Sequence, residues 1–178
     1  MMDSIAFFDL LFICLTSLWL PGVLDIGSNG FTGALPEELY ELTNLVSLNV
    51  SDTNIRGEIS SGIGAMSNLF HLYAGSTGMG GSLPTQLFSL IQLQKLDLSV
   101  ANFTGTLSES FSNLTNLDLI KLDHNKFNGT IPLGLENLPF LGTFFREGCI
   151  FLHRNCNADS HSYRLYFSRA FRNFGFRK

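Results

Sequence analysis

The side chains best suited to chemistry lie between residues 71 and 124. They are His71, Tyr73, Lys95, Asp97, Lys121, Asp123 and His124. Two aspartates can act as the acid and base of an inverting glycosidase when their carboxyl groups lie about 6.5–9.5 Å apart. Two histidines can share a zinc ion when both ring nitrogens reach the same point. Which chemistry is possible depends on the elements that position these residues.

Those elements follow from a repeat of 24 residues. Leucine recurs at this interval from Leu45 to Leu141, and glycine recurs in the same frame from Gly33 to Gly129. When each unit is numbered from Pro21, positions 4, 6, 11, 15, 19 and 22 are apolar in all five copies, without an insertion. One unit cannot bury these residues alone, so the repeat predicts a stack of coils around one continuous core.

Each unit is predicted to begin with a short strand. Apolar positions 4 and 6 alternate with polar positions 5 and 7, which is the period of an extended chain with one buried face. Glycine at position 13 suits a sharp bend or a close approach between coils. Proline at position 16 in three units ends extended structure because it cannot donate a backbone hydrogen bond. Positions 19 and 22 share one face of a short helical turn.

Three segments carry a family pattern: LVSLNVSDTNIRGEIS, LQKLDLSVANFTGTLS and LDLIKLDHNKFNGTIP. They resemble plant-type leucine-rich repeats, whose pattern is LxxLxLxxNxxxGxIPxxLxxLxx. The resemblance covers residues 21–140 as five repeats. It implies an α/β solenoid, a leucine-rich repeat horseshoe with a parallel β-sheet on the concave face and turns and 3₁₀ helix on the convex face. Members of this family are ectodomains of receptor-like kinases and receptor-like proteins, or free inhibitors and binding proteins, and most are extracellular.

Two positions depart from the family pattern. The asparagine of position 9, whose amide bonds to neighbouring coils, is replaced by Thr53, Thr77 and Ala101. Threonine can supply part of that bonding and alanine none. Serine replaces proline at position 16 in Ser60 and Ser108. We therefore expect the middle of the solenoid to be held less tightly than its ends, with faster amide exchange there.

The repeat places the reactive side chains on an open sheet face. On neighbouring strands about 4.8 Å apart, Asp97 and Asp123 would lie roughly 8 Å from each other, but nothing in the sequence provides a cleft around them. His71 and His124 would lie two strands apart, at least ~10 Å, which is too far to share a metal ion. The glycine-rich segment 75–81 lacks the lysine of a phosphate-binding loop. We expect no enzymatic activity, no cofactor and no metal ion.

By analogy with the family, the concave face is the expected ligand-binding surface. Positions 3, 5, 7 and 8 should point to it, and Tyr73 is the aromatic residue among them, of a type that often anchors interfaces. The candidate binding residues are Asn49, Asp52, His71, Tyr73, Lys95, Asp97, Lys121 and Asp123. The expected partner is a protein, a peptide or a glycan. The alternative is a solvated face whose partner binds elsewhere.

Residues 1–20 form a hydrophobic segment with two possible interpretations. Residues 5–20 are almost wholly apolar, as in a secretory signal or a membrane anchor, which would allow membrane association. Residues 1–4 carry no Lys or Arg, however, and the stretch is shorter than the roughly 20 residues of a membrane span. The alternative is a degenerate half-repeat that caps the core, because Phe7, Leu11, Leu15 and Leu18 fit the repeat frame.

Residues 141–178 begin a sixth unit at Leu141 whose pattern then fails. Plant-type repeats often end in a disulfide cap of similar spacing, so the resemblance implies a bond between Cys149 and Cys156; two unpaired thiols are the alternative. Residues 163–178 combine Arg and Lys with Tyr and Phe. This composition is compatible with a basic amphipathic helix at a membrane or an acidic partner, with a disordered end, or with sequence beyond the true coding end.

Composition and charge exclude several classes of protein. The 178 residues are 45% apolar and 15% charged, which excludes wholesale disorder, and three cysteines are too few for a disulfide-built miniprotein. The formal net charge of −4 argues against a nucleic-acid partner. The charge is uneven, because residues 1–142 hold 4 basic and 13 acidic residues, whereas residues 143–178 hold 7 and 2.

Four Asn-x-Ser/Thr sequons begin at Asn49, Asn102, Asn113 and Asn128. If the chain is secreted, we expect glycans on Asn113 and Asn128, whereas a glycan on Asn49 would block the concave face. The sequence thus favours an extracellular or cell-surface recognition module. The alternatives are an intracellular repeat scaffold and a fragment of a larger leucine-rich repeat receptor kinase.

Overall fold

The structure is a computed structural model, and it describes residues 22–136, 138–141, 143–145, 150–151 and 164–166. The hydrophobic segment 1–20, Cys149, Cys156 and most of the basic and aromatic tail lie outside the described residues. The expectations for these parts of the chain therefore stay predictions.

The first strand of each coil occupies positions 3–5 of the repeat. These strands are β1 (Val23–Asp25), β3 (Ser47–Asn49), β5 (His71–Tyr73), β7 (Lys95–Asp97) and β9 (Leu119–Lys121). They are parallel, and residues 24 apart in sequence lie directly opposite each other. We call this layer the concave sheet. Its position-4 side chains are buried and its position-3 and position-5 side chains face away from the core, as the alternation of residue types predicts.

A second parallel sheet, which the sequence did not predict, occupies positions 10–14. Its strands are β2 (Thr32–Ala34), β4 (Asn54–Glu58), β6 (Gly78–Ser82), β8 (Asn102–Thr106) and β10 (Lys126–Gly129). Opposite residues in this sheet are 22 apart instead of 24. The glycine of position 13 adopts φ of 75° to 92° in all five coils, a conformation that residues with a Cβ rarely adopt. Glycine at position 13 thus supplies a left-handed backbone conformation inside each strand of this sheet.

Each coil closes with a short helix that begins at position 17. Four coils contain the 3₁₀ helices η1 (Glu37–Glu41), η2 (Ser61–Ala65), η3 (Thr85–Ser89) and η4 (Glu109–Asn113), and the fifth contains the α-helical turn α1 (Leu133–Glu136). Ser60 precedes η2 with φ −66° and ψ 153°, close to the −68° and 146° of Pro36 before η1. Its Oγ accepts a hydrogen bond from the N–H of Gly62 at 3.1 Å, so serine replaces the missing proline by capping the helix.

The apolar side chains of all coils merge into one core between the two sheets and the helices. Aromatic rings stack from coil to coil inside it: the Phe103 and Phe127 rings lie parallel, with centroids 6.3 Å apart, and Phe88 meets Phe111 edge to face at 4.9 Å. Because each coil completes the burial of its neighbours, the sheet faces are held on a continuous scaffold.

The position-9 side chains differ in what they connect. Asn125 donates from Nδ2 to the carbonyl of Leu98 at 2.6 Å and accepts the N–H of Phe103 at 2.9 Å, so it joins the fifth coil to the fourth. The Thr53 and Thr77 hydroxyls donate instead to carbonyls of their own coils, at 2.7 and 2.9 Å. Threonine therefore replaces the hydrogen bond that asparagine makes within its own coil, but not the one to the preceding coil. The expectation of a less tightly held middle stays a prediction.

The backbone continues beyond Leu141, where the sequence pattern ends. Strand β11 (Thr143–Phe145) pairs with β9 in the 24-residue register, and β12 (Ile150–Phe151) pairs with β10 in the 22-residue register. Strand β13 (Arg164–Tyr166) then pairs antiparallel with β11. Strand β13 therefore lies on the side of β11 where a further parallel strand of the concave sheet would pair.

Candidate ligand-binding face

The concave sheet gathers six of the eight candidate residues into two adjacent rows. Position 5 contributes Asn49, Tyr73, Asp97 and Lys121, and position 3 contributes His71 and Lys95. The other two candidates lie just beyond the strands, with Asp123 after β9 and Asp52 after β3. Parallel register alone brings residues 24 apart in sequence to neighbouring points on one face.

The Asp97 carboxylate is hydrogen-bonded to other residues of the protein. It is 9% exposed, its Oδ1 accepts hydrogen bonds from the Ser99 N–H at 3.1 Å and the Ser99 hydroxyl at 2.6 Å, and its Oδ2 accepts one from Lys121 Nζ at 2.8 Å. The hydrogen bond to Asp97 raises the pKa of Lys121. A Cβ at Gly75 would lie 2.8 Å from Asp97 Oδ1, so glycine at that position leaves room for the carboxylate. Asp97 and Lys121 therefore serve mainly to join strands.

The side chain of Asn49, on β3, is also hydrogen-bonded to other residues of the protein. Its Nδ2 donates to Asp25 Oδ1 at 2.9 Å, and its Oδ1 accepts the N–H of Ser51 at 3.0 Å. A Cβ at Gly27 would lie 2.8 Å from this amide. The paired amide is half-buried between neighbouring coils, so it is poorly placed for a ligand or for a glycan.

The two candidates beyond the strands lie near a turn with unusual backbone geometry. Position 8 adopts a left-handed conformation in every coil, with φ of 51° to 55°. Its residues are Ser28, Asp52, Ser76, Val100 and His124. Asp123 Oδ2 lies 3.1 Å from Nδ1 of the exposed His124, whereas Asp52 is exposed. Because the residue types at position 8 vary, the sequence does not predict this left-handed conformation.

Three neighbouring side chains, those of His71, Tyr73 and Lys95, make no hydrogen bond or ion pair to any described residue. We call them the concave patch. The His71 and Tyr73 rings lie on one strand with centroids 5.9 Å apart and a tilt of 33°, and His71 lies directly opposite Lys95 on the next strand. Burial and the neighbouring Lys95 charge lower the pKa of His71. All three residues are half-buried, and their side-chain polar atoms are not engaged by other described residues.

The arrangement offers no constellation of catalytic groups within the described ranges. Asp97 is neutralised by Lys121, so it is not paired with Asp123 as an acid with a base. His71 and His124 belong to coils separated by strand β7. Among the described residues no three His, Cys, Asp or Glu side chains converge as a metal site would require. In the same part of the chain, no helix is both long and apolar enough to cross a membrane.

The four sequons lie in different environments. Asn113 ends η4 and Asn128 lies in β10, and both are exposed. Asn102 is exposed in β8, but its Oδ1 accepts a hydrogen bond from Lys126 at 2.9 Å. Asn49 is half-buried and engaged as described above.

Comparison with known proteins adds an independent observation to this geometry. Residues 44–66, 92–114 and 113–138 match the Leucine Rich Repeat family model. The resemblance to plant-type leucine-rich repeat proteins and the solenoid fold predicted from the sequence are confirmed. No match is found among curated proteins.

Several solved plant receptors have the same fold. A TDR receptor is 34% identical with a TM-score of 0.71, over 72% of this chain and 22% of that chain. The plant peptide hormone receptor RGFR1, solved in complex with RGF2, is 30% identical with a TM-score of 0.67, over 69% and 20%. The Arabidopsis receptor kinase HAESA, solved with the peptide hormone IDA and the co-receptor SERK1, is 28% identical with a TM-score of 0.71, over 72% and 22%. The chain spans about a fifth of the length of these receptors.

Proposed function

We propose that this chain is a non-enzymatic recognition module that binds a peptide or protein segment on the concave patch. The coarse part of this proposal, a ligand-binding repeat module with a protein or peptide partner, is supported by the similarity to receptors solved with peptide hormones. The finer part, which side chains make the contact, rests on the geometry of this chain alone.

The observation that carries the proposal is the contrast between bonded and unbonded side chains on one face. The side chains of Asn49, Asp97 and Lys121 make hydrogen bonds within their own coil or to a neighbouring one. The patch residues lie between them and keep a phenol, an imidazole and an ammonium group for a partner. Because the sheet beneath is fixed by the core, binding would order few groups and lose little conformational entropy. Tyrosine in particular supplies a large contact area with two rotatable angles.

The position of the module follows from the same similarity. The solved structures that it resembles are plant receptors, so we infer that the chain acts at the cell surface or outside the cell, either as a receptor-like protein or in soluble form. That it spans a fifth of the length of those receptors favours a second candidate, a fragment of a larger receptor kinase. A longer transcript from the same locus, encoding further repeats or a kinase, would establish this second candidate.

The test is selection of binding peptides from a displayed random library, followed by affinity measurement on variants. The double variant Tyr73→Ala, Lys95→Glu removes the aromatic surface and reverses the charge of the patch. Loss of such central contacts is expected to weaken binding by about 30-fold or more. Arg56→Glu is the matched control, because it makes the same charge reversal at an exposed position of the second sheet.

Two results would contradict the proposal. Peptides that bind the double variant as tightly as the parent would place the site elsewhere. Equal weakening by Arg56→Glu would show that net charge, and not the patch, governs binding. Denaturation curves of all variants should match the parent, since both sets of substitutions lie outside the core.

A further inference from the structure

We propose that Lys95 and His71 together recognise the carboxylate of an acidic side chain in an extended peptide, and that Tyr73 contacts an aromatic or apolar side chain two residues along. This inference rests on the proposed function and names the class of ligand for the same patch. Three features of the structure support it: the unpaired ammonium of Lys95, the position of His71 opposite it, and the spacing to Tyr73.

Lys95 is the basic residue of the concave strands that has no anionic partner among the described residues, whereas Arg56 is exposed on the second sheet. Residues 22–141 contain Arg56, Lys95, Lys121 and Lys126 as their basic side chains. Lys121 is paired with Asp97, and Lys126 donates to Asn102 at 2.9 Å. Asp97 lies two residues after Lys95 on β7, yet its oxygens are occupied by Ser99 and Lys121. Lys95 is therefore a half-buried residue of the concave face whose ammonium has no anionic partner among the described residues. A charged hydrogen bond to a ligand carboxylate would satisfy this group.

The surroundings of His71 favour the same ligand. Ser47 lies opposite it on β3, Tyr73 follows it on β5, Lys95 lies opposite it on β7 with Asp97 two residues along, and Lys121 lies one strand further, on β9. The nearest charge is thus the Lys95 ammonium, which repels a proton on the imidazole. A carboxylate bound beside both groups would remove this repulsion and accept a hydrogen bond from a protonated ring.

The pH dependence of binding follows from these contacts. In the free protein, burial and then the Lys95 charge hold the pKa of His71 below its usual 6.5. A carboxylate bound against the ring would raise this pKa. Binding then takes up a proton, so affinity increases as the pH falls through the interval between the two pKa values. An acidic side chain with a pKa of about 4.3 remains ionised at pH 5.5.

The spacing between the two subsites matches an extended peptide. His71 and Tyr73 are two residues apart on one strand and project from the same face, which separates them by about 6.6 Å. Alternate side chains of an extended peptide have the same separation. A peptide running along β5 can therefore place an acidic side chain at Lys95 and His71 and its second neighbour on Tyr73.

The experiment uses the peptides selected on the parent protein, synthesised with acetylated and amidated ends so that side chains are their only carboxylates. Each acidic residue is replaced by its amide, and affinities are measured by calorimetry at pH 5.5 and pH 7.5. We expect the acidic peptide to bind at least about tenfold tighter than its amide counterpart. We also expect its affinity to be about three- to tenfold higher at pH 5.5.

Two variants assign the effects to the two side chains. Lys95→Glu should abolish or invert the preference for the acidic peptide, and His71→Gln should remove the pH dependence while keeping most of the acidic preference. If Tyr73→Ala weakens binding but acidic and amide peptides bind alike, the carboxylate proposal is wrong and the proposed function stands. If Tyr73→Ala also has no effect, both are wrong.

Discussion

The residue with the clearest structural role outside the concave face is Asn125. Of the position-9 side chains in the described solenoid, that of Asn125 bonds to the preceding coil. It does so through the Leu98 carbonyl and the Phe103 N–H. Both backbone groups are buried in the core region and have lost their water. A side chain that satisfies two such groups is expensive to remove, because unpaired buried polar groups keep the full cost of desolvation.

We predict that Asn125→Ala lowers the free energy of unfolding by about 2–3 kcal/mol, measured by chemical denaturation. Asn29→Ala is the matched control, because the exposed Asn29 amide donates to two carbonyls of its own coil. The control should lose about 1 kcal/mol or less. Equal losses in the two variants would contradict a role for Asn125 between coils.

Val100 provides a second prediction at this scale. It is a β-branched residue with φ of 51° and is 51% exposed. Valine is strained there, whereas asparagine adopts this conformation readily. Val100→Asn should stabilise the protein by about 0.5–1 kcal/mol, and Ser76→Val, at the same position one coil earlier, should destabilise it by a similar amount. Denaturation midpoints that move in the opposite directions would contradict this.

Single residues also show where sequence reasoning ends. The repeat frame placed His71, Tyr73 and Lys95 together on one face, because parallel register depends only on sequence spacing. It could not separate them from Asn49 and Asp97, since the residue types alone do not reveal which side chains bond to neighbouring strands. That distinction depends on side-chain rotamers and on glycines such as Gly75, whose missing Cβ leaves room for the Asp97 carboxylate.

At the scale of elements, the concave strands and the convex turns were predictable and the second sheet was not. The concave strands show clear alternation between apolar positions 4 and 6 and polar positions 5 and 7. The second sheet has one regularly apolar residue, at position 11, surrounded by polar residues and glycine, which is also the composition of a loop. Its pairing is imposed by the stacking of coils rather than by strand propensity.

The replacement of proline by serine before the helices gives a prediction about elements. Ser60 and Ser108 both have backbone angles that proline accepts. The N–H of Ser60, however, donates to the hydroxyl of the buried Tyr40 at 3.2 Å. Ser108→Pro should therefore change the free energy of unfolding by about 0.5 kcal/mol or less, and Ser60→Pro should cost about 1 kcal/mol more.

A double-mutant cycle provides the control. In a Tyr40→Phe background, the difference between Ser60→Pro and Ser108→Pro should shrink, because the hydroxyl that the Ser60 N–H contacts is gone. A difference that persists in that background would assign the cost to the backbone of the 59–60 segment or to the lost hydrogen bond from the Ser60 hydroxyl to Glu37 Oε2, 2.6 Å long.

At the scale of the whole molecule, the 24-residue frame extends further than its sequence pattern. Apolar periodicity ends near Leu141, yet β11 and β12 keep the registers of both sheets. Backbone hydrogen bonds to the preceding coil can continue a sheet after the side-chain pattern has weakened, which a reading of residue types cannot detect. The ligand could not be predicted from the fold, because one scaffold carries many different surfaces.

The distribution of sequons gives a prediction about the environment of the whole chain. If the protein passes through the secretory pathway, Asn113 and Asn128 should carry glycans and Asn49 should not, since its amide is bonded to Asp25 and Ser51. Mass spectrometry of peptides from protein isolated from its own cells would measure this. Occupancy of Asn49 would contradict both the described pairing and a ligand-binding role for the concave face.

The central claim is that a ligand binds at the concave patch, and the most direct measurement is a map of side-chain NMR shifts. Signals from the His71 and Tyr73 rings and the Lys95 side chain would be followed while a selected peptide is added, with Arg56 and Asn128 as reporters on the second sheet. If the ligand binds at the concave patch, large shifts are expected only at the three patch residues and their strand neighbours. Large shifts at the second sheet or the convex helices, with the patch unchanged, would contradict it.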